Sequence, residues 1–185
     1  VDAYVVSVAL DSDPVFGREA REAGRVLARR YRTEGRAITL AGSDGRAPSE
    51  LPMGSPSSLA AALARVAELM DAREDVLVLY ITTHGAPGGI VYNDGDQGYG
   101  AIAPAYLRRT LRGLGIENRL LFISACYSGQ FVPVMISDRT AIVTASAADR
   151  TSFGCRADND WTFFGDALVN RALRKPQPLA RAVEE

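Results

Sequence analysis

The stretch Arg119 to Gly129, RLLFISACYSG, is an apolar run that ends at Cys126, with the small residues Ala125 and Gly129 on either side of it. Such a run reads as a strand buried on both faces, and two others match it: Ala3 to Leu10, AYVVSVAL, and Asp75 to Ile81, DVLVLYI. Shorter strands are expected at Ala37 to Ala41 and Arg139 to Ser146. Helices fill the gaps. Arg18 to Arg32 has helical apolar spacing with Gly35 as a terminator; Leu59, Leu63, Val66 and Met70 form one stripe that Ser57 or Ser58 would cap. Pro104 suits the first turn of a helix to about Arg112, and Trp161 to Leu173 supplies another. The alternation predicts an α/β fold, a mostly parallel central sheet with helices on both faces. Gly42 to Pro56 reads as a surface loop, Gly85 to Ile102 as a glycine-rich functional loop, and Asp149 to Asp160 as irregular.

The totals narrow the function. A chain of 185 residues fits one domain, residues 1–185, that buries about two thirds of its unfolded surface. With 21 basic and 22 acidic side chains the net charge is -1, which offers no field for nucleic acid or an anionic membrane. No apolar run reaches the roughly 18 residues of a membrane span, and no signal-peptide pattern opens the chain. Its ends read as cut, Val1 directly on a strand and Glu185 just inside a helix-like segment, as in a longer precursor with a targeting segment that would place it outside the cytoplasm. Cys126 and Cys155 form neither a CxxC pair nor a zinc set, so no metal is expected. The glycines after His84 lack the Lys-Ser/Thr of a P-loop, and Gly113-Leu114-Gly115 lacks the third glycine of a dinucleotide fingerprint, so no cofactor is expected either. No GxSxG elbow surrounds Ser128.

What remains is thiol chemistry. In parallel α/β sheets ligands gather at the carboxyl ends of strands, and His84, the single histidine, and Cys126 both stand there. Neighbouring strands are about 5 Å apart, so residues just past their ends can meet. A thiolate attacks a carbonyl while an imidazole moves the proton, and the backbone N–H groups of Gly85 and Cys126 would hold the developing oxyanion.

YITTHG, followed by SACYSG, TASAADRTSFGC and WTFFGDAL, resembles the legumain family of cysteine peptidases in the caspase-like clan, over roughly Val76 to Leu173. The resemblance implies a caspase-like three-layer sandwich and endopeptidase activity on peptide or protein substrates, with His84 as acid/base, Cys126 as nucleophile and Gly85 as oxyanion donor. For selection of Asn or Asp before the cut it implies Arg18 and Asp166 as pocket residues, with Thr151 and Ser152 as pocket wall. It also marks departures. Ser124 stands where the family has an acidic residue two positions before the cysteine, which weakens selection of an amide over an acid. Thr83 replaces an aspartate associated with peptide ligation, and no asparagine follows the first strand to orient His84, leaving Asp11 or Asp13 as substitutes. Cys155 falls where the family also has a cysteine and is expected to be structural. The same residues would serve a transamidase, and a non-catalytic scaffold is the third reading.

Overall fold

The computed structural model describes residues 1–42, 50–94, 98–156 and 158–185, so parts of the Gly42 to Pro56 loop, of the loop after His84 and of the polar stretch after the fifth predicted strand lie outside the described residues. Eight strands run in chain order: β1 (Ala3–Ala9), β2 (Ala37–Leu40), β3 (Val76–Thr82), β4 (Gly85–Ala86), β5 (Gly89–Asn93), β6 (Tyr99–Ile102), β7 (Arg119–Ser124) and β8 (Thr140–Thr144). The helices are α1 (Pro14–Tyr31), α2 (Pro56–Leu69), α3 (Pro104–Gly113), the short α4 (Val132–Met135), a wide π-helical segment (Gly165–Ala172) and α5 (Leu179–Glu184).

β1, β2, β3, β7 and β8 form one parallel sheet in the order β2-β1-β3-β7-β8. Its faces separate by residue parity, as the two-residue strand period requires. Val6, Val8, Leu77, Leu79, Ile81, Leu121 and Ile123 pack with Leu59, Leu63 and Val66 of α2 and Leu107 and Leu111 of α3. Val5, Val78, Tyr80, Leu120 and Phe122 face the other way, onto Ala23, Val26 and Leu27 of α1 and Leu168, Val169 and Ala172 of the π-helical segment. This is why the central strands read as nearly unbroken apolar runs: each large side chain buried on either face contributes about 1.5–3 kcal/mol, and neither face is open to solvent. The result is the expected mostly parallel α/β sandwich.

Local chemistry shifts several boundaries. α2 is capped by Ser55 rather than Ser57 or Ser58, since Pro56 fits the first helical position; Ser55 Oγ accepts from Ser58 N at 3.0 Å and Ser58 Oγ from Ser55 N at 2.9 Å. α1 starts at Pro14, four residues before the expected Arg18, and ends on Arg32 in the left-handed region at φ 53° rather than on Gly35. The glycine-rich loop after His84 also holds structure. β4, β5 and β6 make a small antiparallel sheet, pairing Ile90 with Ile102, and both side chains are buried in the core. Five glycines among the described residues of that stretch mask the alternation that would otherwise announce strands.

The sheet also fixes where a site must form. The chain leaves β1 for β2 on one side and returns to β3 on the other, so the crevice at the carboxyl ends of β1 and β3 is a topological switch point.

Candidate active site

β3 and β7 are in register at Thr82 and Ser124, and Thr83 N donates to Ser124 O at 3.1 Å. His84 and Cys126, each two residues further on, therefore leave adjacent strands at the same level. Gly85 is pressed against the cysteine: a Cβ there would lie 1.9 Å from the Cys126 carbonyl oxygen, so only glycine allows this approach. Gln130 fastens the two loops, its Nε2 donating to Ala86 O at 2.9 Å and its Oε1 accepting from Gly88 N at 2.8 Å. After Cys126 the backbone turns sharply, with Tyr127 at φ 56° and its N–H given to Arg150 O at 2.8 Å. Positive φ at a non-glycine residue is held only where the surroundings enforce it.

The imidazole has a fixed partner. His84 Nε2 lies 2.9 Å from Asp13 Oδ2, and the ring packs edge-on against Phe16 with centroids 4.8 Å apart. Asp13 is the N-cap residue of α1 but makes no side-chain capping bond. An aspartate there normally satisfies a free helix N–H; here the carboxylate turns to the histidine instead. Asp11 takes the other role. Its Oδ1 accepts from Asp13 N at 2.9 Å, shaping the turn that presents Asp13, and burial holds its carboxyl above the ordinary range against the opposing pull of the Asp13 N–H and His84. Ser12 N and Asn93 O, 2.9 Å apart, pin this turn to β5. Ligand atoms of Asp11, Asp13 and His84 lie within 4.8 Å of one another, a set able to hold a divalent cation. The Asp13–His84 bond and the Asp11 turn account for that clustering by themselves.

Around the sulfur, Ser152 N donates to Cys126 Sγ at 3.2 Å. Ser152 is half-buried and Thr151 exposed beside it. Cys155 packs beside Val15, Phe16 and Ala20, near the site. Burial first, then the neighbouring Cys126 and Glu19, pushes the Cys155 thiol up to about 12. Arg18 is largely covered; its guanidinium donates to Asn159 O and lies 3.8 Å from Asp160 Oδ1. Ser124 is buried, its Oγ 3.2 Å from Thr162 Oγ1. Asp166 opens the π-helical segment, but its carboxylate runs along that segment to Asn170 at 2.8 Å and Arg171 at 2.6 Å, which hold it below the usual carboxylate range. The structure thus puts His84, Gly85 and Cys126 at the ends of adjacent strands with Ser152 N bonded to the sulfur, buries Ser124 at the end of β7, commits Arg18 to Asn159 and Asp160, and leaves Asp166 bonded within its own helix.

Sequence reasoning left Asp13 and Asp11 undivided and passed over Gln130, Phe16 and Glu19. A groove of about 850 Å³ lies elsewhere, between the last turns of α1 and the segment from Leu173 to Pro178. It is at the opposite end of α1 from Asp13, about 25 Å along the helix, and its lining offers no thiol or imidazole.

The sequence profile of the Peptidase C13 family matches residues 54–182. Among solved structures the chain is similar to caspase-1 from Spodoptera frugiperda, with a TM-score of 0.62 and 16% identity, over 97% of this chain and 73% of that one. At that identity the likeness speaks for the fold alone. No curated protein matches the chain.

Proposed function

The chain belongs to the Peptidase C13 family, and from that premise we propose that it is a cysteine endopeptidase working through Cys126 and His84, with Asp13 orienting the imidazole. The observation that carries this is the 2.9 Å bond from Asp13 to the single histidine, made at the level where Cys126 leaves the adjacent strand. With the Nε2 proton directed at Asp13, Nδ1 keeps its lone pair for the thiol proton. Sulfur then attacks the scissile carbonyl, and the Gly85 and Cys126 N–H groups receive the oxyanion. Collapse of the tetrahedral adduct forms a thioester and expels the amine, which takes its proton from His84. Water, deprotonated by His84, attacks the thioester and releases the acid and the free thiol.

Arg18, Ser124, Thr151, Ser152 and Asp166 are read as the pocket residues that accept a small polar side chain, Asn or Asp, before the cut. A guanidinium offers a planar fork suited to either group. The test is cleavage of a peptide library by the full chain and by Cys126→Ala, with and without an added amine. The expected outcome is wild-type cleavage after small polar residues, absent in Cys126→Ala, yielding acids. Equal cleavage by both proteins would exclude this mechanism, and amide products with the added amine would move the assignment to a transamidase.

A further inference from the structure

β7 opens on Arg119 and closes just before Cys126, so these two residues stand at opposite ends of the strand, about 20 Å apart. Around Arg119 is a recess of about 330 Å³, at the small end of the range of ligand pockets. Four arginines line it, Arg108 and Arg112 from α3, Arg119 from β7 and Arg139 from just before β8, against the two carboxylates of Glu117 and Asp138. On a chain whose net charge is -1 this is a local excess of positive charge.

Arg119 is the unusual member. Only 8% exposed, it donates from Nε to the Glu117 carbonyl at 3.2 Å, and its buried Nη1 has no hydrogen-bond partner among the described residues. A buried donor left unpaired is rare in a folded protein, and a guanidinium keeps its charge even there. Glu117 gives its carboxylate to Arg139 instead, Oε2 accepting from Nη1 at 3.1 Å, and Asp138 is exposed. Arg108, Arg112 and Arg119 make no ion pair among the described residues. Burial chiefly, with Glu117 opposing and Arg108 and Arg112 adding to it, pulls the Arg119 guanidinium below its ordinary range. The two α3 arginines, one turn apart, are thus close enough for their charge to be felt at Arg119. An anion set among the three would relieve their mutual repulsion and satisfy the unpaired donor.

The donors also narrow the kind of anion. They enter the recess from two elements, a strand and a helix, rather than from one fork. A planar carboxylate spends its oxygens in one plane, whereas a phosphate monoester presents three oxygens in different directions and carries about -1.5 to -2 charge near pH 7, enough for several guanidinium groups at once. Val134 and Ile136 add an apolar wall, Ile136 being 60% exposed, against which an organic group can rest.

We propose that this recess binds a phosphate group, free or carried on a small organic molecule, through Arg108, Arg112 and Arg119. The proposal is independent of the peptidase reading, since it uses none of that site's residues. The experiment is calorimetric titration of the full chain with phenyl phosphate, inorganic phosphate and benzoate in a phosphate-free buffer of low ionic strength. Phenyl phosphate is expected to saturate a single site at least tenfold more tightly than benzoate. The double variant Arg108→Ala/Arg112→Ala, which changes only exposed side chains, should weaken it at least tenfold, and so should Arg119→Met. Arg109→Ala, exposed on α3 but outside the recess, should leave it unchanged. Weaker binding of inorganic phosphate assigns the group to an organic ester and equal binding assigns it to free phosphate; both carry the proposal. Absence of saturable binding overturns it. So does benzoate binding as tightly as phenyl phosphate, or an equal loss in Arg109→Ala, which would show only a diffuse charge effect.

Discussion

Asp13, the N-cap residue of α1, and Glu19, in its second turn, are both carboxylates, and the fold uses them in opposite ways. Asp13 leaves 45% of its side chain exposed and holds a single partner, the His84 ring, while Glu19 is fully enclosed and holds two neutral donors. The first can follow a change of charge on the imidazole, as the proposed mechanism requires. The second ties α1 to Tyr80 of β3 and to the backbone at Thr162. Accessibility, more than residue type, separates the carboxylate at the candidate site from the one that joins the layers.

Several measurements would break or sharpen that contrast. Glu19→Ala strands the Tyr80 hydroxyl and the Thr162 N–H, each costing about 1–3 kcal/mol when left buried and unpaired, so chemical denaturation should show a loss of about 2–5 kcal/mol. Asp13→Ala should leave stability within about 1 kcal/mol, because its carboxylate caps nothing, yet lower kcat by about 10- to 100-fold through a mis-set imidazole, read by steady-state kinetics beside a melting curve. Were Asp13→Ala the less stable of the two and Glu19→Ala the less active, the contrast would be reversed. The two thiols give a finer version of it. Cys155 stays protonated at neutral pH, so an iodoacetamide pulse followed by peptide mass analysis should label Cys126 and leave Cys155 unmodified. Asp166→Asn should act least: its bonds to Asn170 and to the exposed Arg171 are worth at most about 1 kcal/mol, and a melting curve checks this.

Much of this was legible in the residues. The three central strands announced themselves because a sheet covered on both faces is built mostly of apolar positions, and that alone put His84 and Cys126 at strand ends. The partner of His84 was legible only as a choice between Asp11 and Asp13. The two differ by a turn: burial and its bond to Asp13 N commit Asp11 to the backbone, leaving Asp13 for the ring. Glu19 was illegible, since a glutamate beside an arginine in a helix looks like a solvated pair, and its burial depends on where the π-helical segment, distant in sequence, comes to rest. The sheet of β4, β5 and β6 was hidden for a different reason, glycines replacing the side chains that mark strand faces.

By itself, then, the sequence determined the layered α/β architecture and the places of Cys126 and His84 at strand ends, because apolar patterning is a local property. Only the tertiary structure decided which carboxylate faces the imidazole, that Glu19 is buried between α1, β3 and Thr162, and how closely Gly85 meets Cys126. Those are contacts between segments far apart in the chain, set by packing rather than by any residue's own preference.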